Sequence, residues 1–139
     1  MRKTFGLSLL AFAVAFGLTV LANEKPTMEY QDLMKSNAAA AGPMGLRGHV
    51  NMKDYDAIAK DATRKSNLAK IEAFWTQKKV DDAIAFAKAG GKAAADLEAA
   101  AKAKDDAGIA AANMALTPAC GGCHMAHRER LPDMTFEIK

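Results

Sequence analysis

Apolar residues return at steps of three and four along most of this chain, and no stretch alternates as a half-buried strand would. The first periodic stretch, from about Thr27 to Ala41, puts Tyr30, Leu33, Met34, Asn37, Ala38 and Ala41 on one stripe, and Gly42-Pro43 stops it. Gly45, Gly48 and Asn51 then predict a loop. A second helix, from about Met52 to Trp75, turns Tyr55, Ile58, Ala62, Leu68, Ile71 and Trp75 inward and leaves Lys60, Arg64 and Lys65 in water. After a short turn around Thr76 to Lys79, a third helix from about Val80 to Lys102 carries Val80, Ile84, Ala87, Gly91, Ala94 and Leu97 at the spacing of a bundle seam.

Gly90 and Gly91 sit inside that third helix, where each costs about 1 kcal/mol relative to alanine. They mark a kink, a close approach of another surface or, as the plainest reading, a tolerated weak spot. Asp105 or Asp106 opens a fourth helix, with Ile109, Ala112 and Leu116 on one face leading to Cys120. Thr117-Pro118 predicts a kink or a split there, because proline lacks an amide proton and clashes with the preceding turn. Four helices with short connections make an all-α, antiparallel four-helix bundle. The tail beyond Arg130 can dock back through Leu131, Phe136 and Ile138.

Composition agrees, since the chain is rich in alanine and only 6% aromatic. Arg2 and Lys3, an apolar run from Phe5 to Leu21 and the small residue Ala22 predict a cleavable signal peptide over residues 1–22. The run is close to the lower limit for spanning a bilayer, so a retained anchor is the alternative; after cleavage no stable anchor is expected. Residues 23–139 then form one domain outside the cytoplasm, small enough that a staple or cofactor commonly supports its core. With Arg2 and Lys3 set aside, the 19 basic side chains fall to 17 and nearly balance the 16 acidic ones, which argues against a nucleic-acid partner.

The only two cysteines stand in Cys120-Gly121-Gly122-Cys123-His124, the C-x-x-C-H pattern of c-type haem attachment. Two thiols three residues apart share one side of a helical turn and can add across the haem vinyl groups, and the next imidazole then reaches iron. A thioredoxin-like pair would be expected beside a βαβ pattern, which this sequence lacks. A zinc site would need further ligands, for which only His49 and His127 remain. One covalently attached haem c, with its iron on His124, is therefore the expected cofactor.

At these residues the chain resembles the class II cytochromes c, the family of cytochrome c′ and cytochrome c-556. The resemblance covers most of residues 23–139 and is carried by Tyr30 to Lys35, by Phe74-Trp75, and by Cys120 to His124 followed by Arg128. It implies a four-helix bundle with the haem motif near its C-terminal end. In c-556-like members a first-helix methionine supplies the second axial ligand, and Met34 occupies the matching position; filler of an apolar stripe is its plain alternative. Met134 is the rival, though it follows His124 by only ten positions. Arg128 stands where the family is usually basic, which implies contact with a haem propionate; support of the helix C-terminus explains it equally well. The family's first-helix arginine is replaced by Tyr30, so Lys35 or Arg47 is left to substitute.

The resulting expectation is a periplasmic one-electron carrier with His124 and Met34 on iron, exchanging electrons with redox protein donors and acceptors. The alternative is a five-coordinate, cytochrome c′-like protein binding nitric oxide or another small gas. An enzyme such as a peroxidase would need a distal acid–base group, and the first helix offers only Asn37, Gln31 and Asp32 near Met34. Pairing of two bundles into a homodimer, frequent in the family, is left open by the sequence.

Overall fold

Thr27 starts the first helix by accepting the Tyr30 amide proton on its side-chain oxygen at 3.2 Å, and α1 runs Met28–Ala41. The structure, a computed structural model, describes residues 23–139; the predicted signal segment lies outside the described residues. Beyond α1 the chain forms α2 (Leu46–Met52), α3 (Tyr55–Asp61), α4 (Arg64–Lys78), α5 (Asp81–Lys102) and α6 (Asp106–His127). A hairpin of β1 (Arg128–Arg130) and β2 (Phe136–Ile138) ends it. The fold is thus mostly helical, with four long helices, as expected from the periodicity. No helix among the described residues is long and apolar enough to cross a membrane.

Four departures from the sequence expectation have identifiable causes. The stretch after Gly42 is the short helix α2 and not a loop. Gly45 lets the start of α2 press on the end of α1, since a Cβ there would lie 2.5 Å from the Ala40 carbonyl oxygen, and Gly48 lets α2 pass the connecting turn, where a Cβ would collide with the Pro43 carbonyl. The helix expected from Met52 to Trp75 is broken at Ala62-Thr63. There the amides of Thr63, Lys65 and Ser66 bond carbonyls three residues back, those of Lys60, Ala62 and Thr63. The third departure, Arg64, follows from this turn. A tightened turn rotates each residue about 20° further than an α-helix does, so about five such residues advance the inward face by one position. Buried positions therefore resume at Arg64, Leu68, Ile71 and Trp75, where an unbroken helix would have buried Lys65. Arg64, expected in water, is only 6% exposed.

The fourth departure is that α6 continues through Pro118 without splitting. Loss of the bond to the Met114 carbonyl is tolerated because Leu116 and Ala119, on either side of Pro118, are both buried. The tail docks as expected through Ile138, which is buried, but as a strand: Glu24 exchanges backbone hydrogen bonds with Ile138 at 2.9 and 2.8 Å. Asp133 shapes the hairpin turn by accepting from the Thr135 amide at 3.0 Å, and Met134 takes the left-handed conformation with φ 69°.

The seam between α5 and α6 is built from small residues. Ala83, Ala87, Gly90, Ala94, Leu97 and Ala101 of α5 are all buried, as are Ile109, Ala112, Leu116 and Ala119 of α6. Gly90 is a point of close approach: a Cβ there would stand 3.3 Å from a Leu68 methyl of α4, whereas Gly91 faces open space. The connections from α4 to α5 and from α5 to α6 are two and three residues long, so these helices alternate in direction. α1 lies antiparallel to α4, since Tyr30 near its start meets Trp75 and Asn37 near its end meets Asn67.

Trp75, 2% exposed, donates its indole N–H to the Tyr30 hydroxyl at 3.1 Å, joining α4 to α1. Tyr30→Phe leaves that buried donor without a partner, and a loss of about 1–3 kcal/mol in denaturant unfolding is expected. Gly48→Ala is expected to lower the unfolding midpoint while leaving the α5–α6 seam intact, since the clash falls where α2 meets Pro43. A thermal midpoint unchanged by Gly48→Ala would contradict the close backbone approach.

Candidate functional site

The inward stripe of α6, Ile109, Ala112, Leu116 and Ala119, reaches Cys123 at its next step of four. Cys120 and His124 flank that stripe, so the three residues face a cleft between α6 and α1 and are each half-buried. Neither cysteine is bridged. Gly122 allows α6 to approach α5 here, because a Cβ would lie 2.5 Å from the edge of the Phe86 ring.

Two cavities make up the cleft. One of about 160 Å³ is enclosed by Met34 and Asn37 of α1, Cys120, Cys123 and His124 of α6, and an apolar back wall that includes Phe86. The other, about 310 Å³, shares Met34, Ala38, Cys123 and His124 with the first and extends to Tyr30, Arg128 and Phe136. Met34 and His124, on opposite helices, border both. The structure therefore brings Met34 to one cavity with Cys120, Cys123 and His124. Arg128 also borders the cleft, with its guanidinium 4.5 Å from the centre of the Phe136 ring. Lys35 lines the same end, within 3.4 Å of Asp32.

Other candidates lie elsewhere. Met134 is exposed in the hairpin turn, its sulfur accepting from Arg130 Nη2 at 3.0 Å. His49 Nδ1 is 2.8 Å from Asp61. His127 Nε2 is 2.9 Å from Asp82, and the ring packs 5.0 Å from that of Trp75. His127 thus borders one end of the cleft as a packed side chain.

Burial governs the electrostatics. It pushes the Cys123 thiol up to about 11, helped by Asp82 and Cys120, and raises that of Cys120, which Arg64 partly opposes. Both thiols are therefore protonated at neutral pH, whereas a dithiol redox pair works through a lowered, thiolate-forming cysteine. Burial, and secondarily Arg128, holds His124 below the ordinary imidazole value, so its ring is neutral with a free nitrogen lone pair. Tyr30 is raised, first by burial and then by Cys123, and stays a neutral hydroxyl. The arrangement offers two neutral thiols and an imidazole on one wall, a thioether on the other, and little else that is polar.

The exception is Arg64, which the sequence reading left in water. It lines the inner cavity, and its Nε and Nη2 are enclosed without any hydrogen-bond partner. Burial lowers its pKa, opposed by Cys120 and Asp61, but a guanidinium keeps its charge. The signal was present: Arg64 stands four before Leu68, on the stripe of Leu68, Ile71 and Trp75. Phe86 was missed as a wall residue because it falls between the seam positions Ala83 and Ala87.

Compared with family models, with curated proteins and with solved structures, the chain matches none.

Proposed function

We propose that this chain is a single-haem c-type cytochrome of the class II kind, exported through residues 1–22 and acting as a one-electron carrier between protein partners. The observation that carries this reading is the placement of Cys120, Cys123 and His124 on one wall of an apolar cleft, with Met34 on the other. The residues present fit such a group. The walls are almost wholly apolar, the His124 imidazole is neutral, and charged Lys35 and Arg128 stand at the end away from Cys120, where acidic side arms would need partners. When bound, haem supplies an iron that gains and loses one electron.

The chain's own residues do the rest. Cys120 and Cys123 anchor the group through sulfur, and the rigidity of α6 fixes where His124 presents its imidazole nitrogen. Met34 offers a thioether, a ligand that raises the potential relative to a second histidine. Leu68, Ile71 and Phe86 exclude water from one side. The polar groups of α1 that could serve a peroxidase already have partners: Gln31 donates to the Pro26 carbonyl at 2.9 Å, Asp32 sits 3.4 Å from Lys35, and Asn37 accepts from Asn67 at 3.2 Å. This supports a carrier over an enzyme.

Produced in cells competent for haem attachment, the protein is expected to keep a haem stain after denaturing electrophoresis, and the double variant Cys120→Ala, Cys123→Ala to lose it. A stain absent from the unaltered chain would end the reading. Spectra then assign the second axial position. A low-spin spectrum with a methionine–iron charge-transfer band at the red end, lost in Met34→Ala, is the expected result for the carrier. A high-spin spectrum indifferent to Met34→Ala would make the chain a gas-binding protein of the cytochrome c′ kind.

A further inference from the structure

Arg64 borders a third cavity besides the inner one. This cavity, about 410 Å³, lies on the side of Cys120 away from Phe136, between the end of α1, α2 and the middle of α6. Its polar lining is Arg47, Asn51, Arg64, Asn113 and Thr117, and it contains no carboxylate. Two guanidiniums on one cavity with no acid among its walls make a field that only an anion balances.

Arg64 supplies the independent observation. Arg64 is 6% exposed as a residue, and its enclosed Nε and Nη2 lack partners, which carries a desolvation cost that proteins ordinarily offset with an acceptor. The neighbouring carboxylate, Asp61, is bonded to His49 at 2.8 Å and forms no ion pair with Arg64. Neither Lys35 nor Arg128, which border the Phe136 end of the cleft, lines this cavity.

We propose that Arg64, assisted by Arg47, is the binding site for a carboxylate or small oxyanion at the Cys120 end of the cleft. Arg64 is the inner partner, whose guanidinium pairs with the anion, and Arg47, exposed on α2, closes the solvent side. Asn113 and Asn51 offer amide donors, while the Thr117 hydroxyl is turned to the Asn113 carbonyl at 3.3 Å. The site goes beyond the haem reading and does not depend on it. The carboxylate has two conceivable sources, a side arm of the group held in the cleft or a free anion from solvent, and the experiment separates them.

The purified chain is titrated with sodium formate at fixed ionic strength, following the NMR signal of the Arg64 Nε–H and the thermal midpoint. A saturable shift of that signal and a rise of the midpoint are expected. Arg47→Ala is expected to weaken the apparent affinity about tenfold, the scale of one charge-assisted bond. Arg64→Leu is expected to abolish the formate-dependent rise; should it fail to fold, the Arg47→Ala affinity decides. The titration is repeated on the haem-free double variant Cys120→Ala, Cys123→Ala. A response in both forms assigns the site to a free anion, and a response in the haem-free form alone assigns it to a carboxylate of the bound group. Silence of Arg64 in both overturns the proposal. Failure of the unaltered chain to take up haem would sink the haem reading, and a formate response in that same chain would leave this site standing.

Discussion

The close seam between α5 and α6 is the constraint on which the rest of this molecule depends. Buried alanines line both of the two longest helices where they meet. An alanine buries far less apolar area than a leucine, so such a seam gains its stability from contact density along 22-residue helices and not from large side chains. The consequence is a thin core. Among the described residues Trp75, Ile58 and Leu97 are the largest side chains enclosed almost completely, and none of them borders the cavity between Met34 and Cys120. A cleft bordered by Cys120, Cys123 and His124 follows from what the seam leaves unfilled. In this respect the fold and the site have one cause.

Most of the helical architecture was legible because helix periodicity depends only on local spacing. α1 and α5 begin and end, and α6 begins, within a residue or so of where caps and stripes place them, and Thr27 and Asp105 act as the capping residues. What the periodicity could not report was a change of phase. The pattern from Tyr55 to Trp75 looks continuous because Ile58-Ala62 and Leu68-Ile71-Trp75 each satisfy the spacing, yet the tightened turn around Thr63 shifts the second stripe by one position. Gly45 and Gly48 misled in a related way. Their lack of a side chain reads as a loop signal, but here it serves backbone contact between two helices. The three-residue strands of the hairpin were too short for alternation to register against the noise of the tail.

The candidate site was legible to the extent that it lies in one contiguous motif. Cys120, Cys123 and His124 are ordered by sequence alone, and the structure adds that their stripe points into the cleft and not toward solvent. Met34 is a different kind of inference: its position across the cleft depends on how α1 packs against α4, which no local spacing encodes. Arg64 was hidden by a rule of thumb. A charged residue on a helix is usually a solvated one, and the rule fails where the residue falls in phase with the buried stripe. Phase, in this case, carried more information than residue type.

The aromatic group at the other end explains why α1 stands off from α6 at all. Tyr30 packs 4.4 Å from Phe74 and bonds Trp75, while His127 of α6 packs 5.0 Å from the Trp75 ring and bonds Asp82 of α5. Four helices are thereby joined at one level, with Tyr30 of α1 and His127 of α6 both packed on Trp75. Toward its C-terminal end α1 is bonded to α4 through Ser36 and Asn37, which both accept from Asn67, and Ala38 and Ala41 present nothing that could bridge to α6. A small residue at these two positions preserves the gap that the aromatic spacer opens. Met34 stands between the spacer and the gap, one turn beyond Tyr30, and is the first side chain of α1 long enough to reach into it.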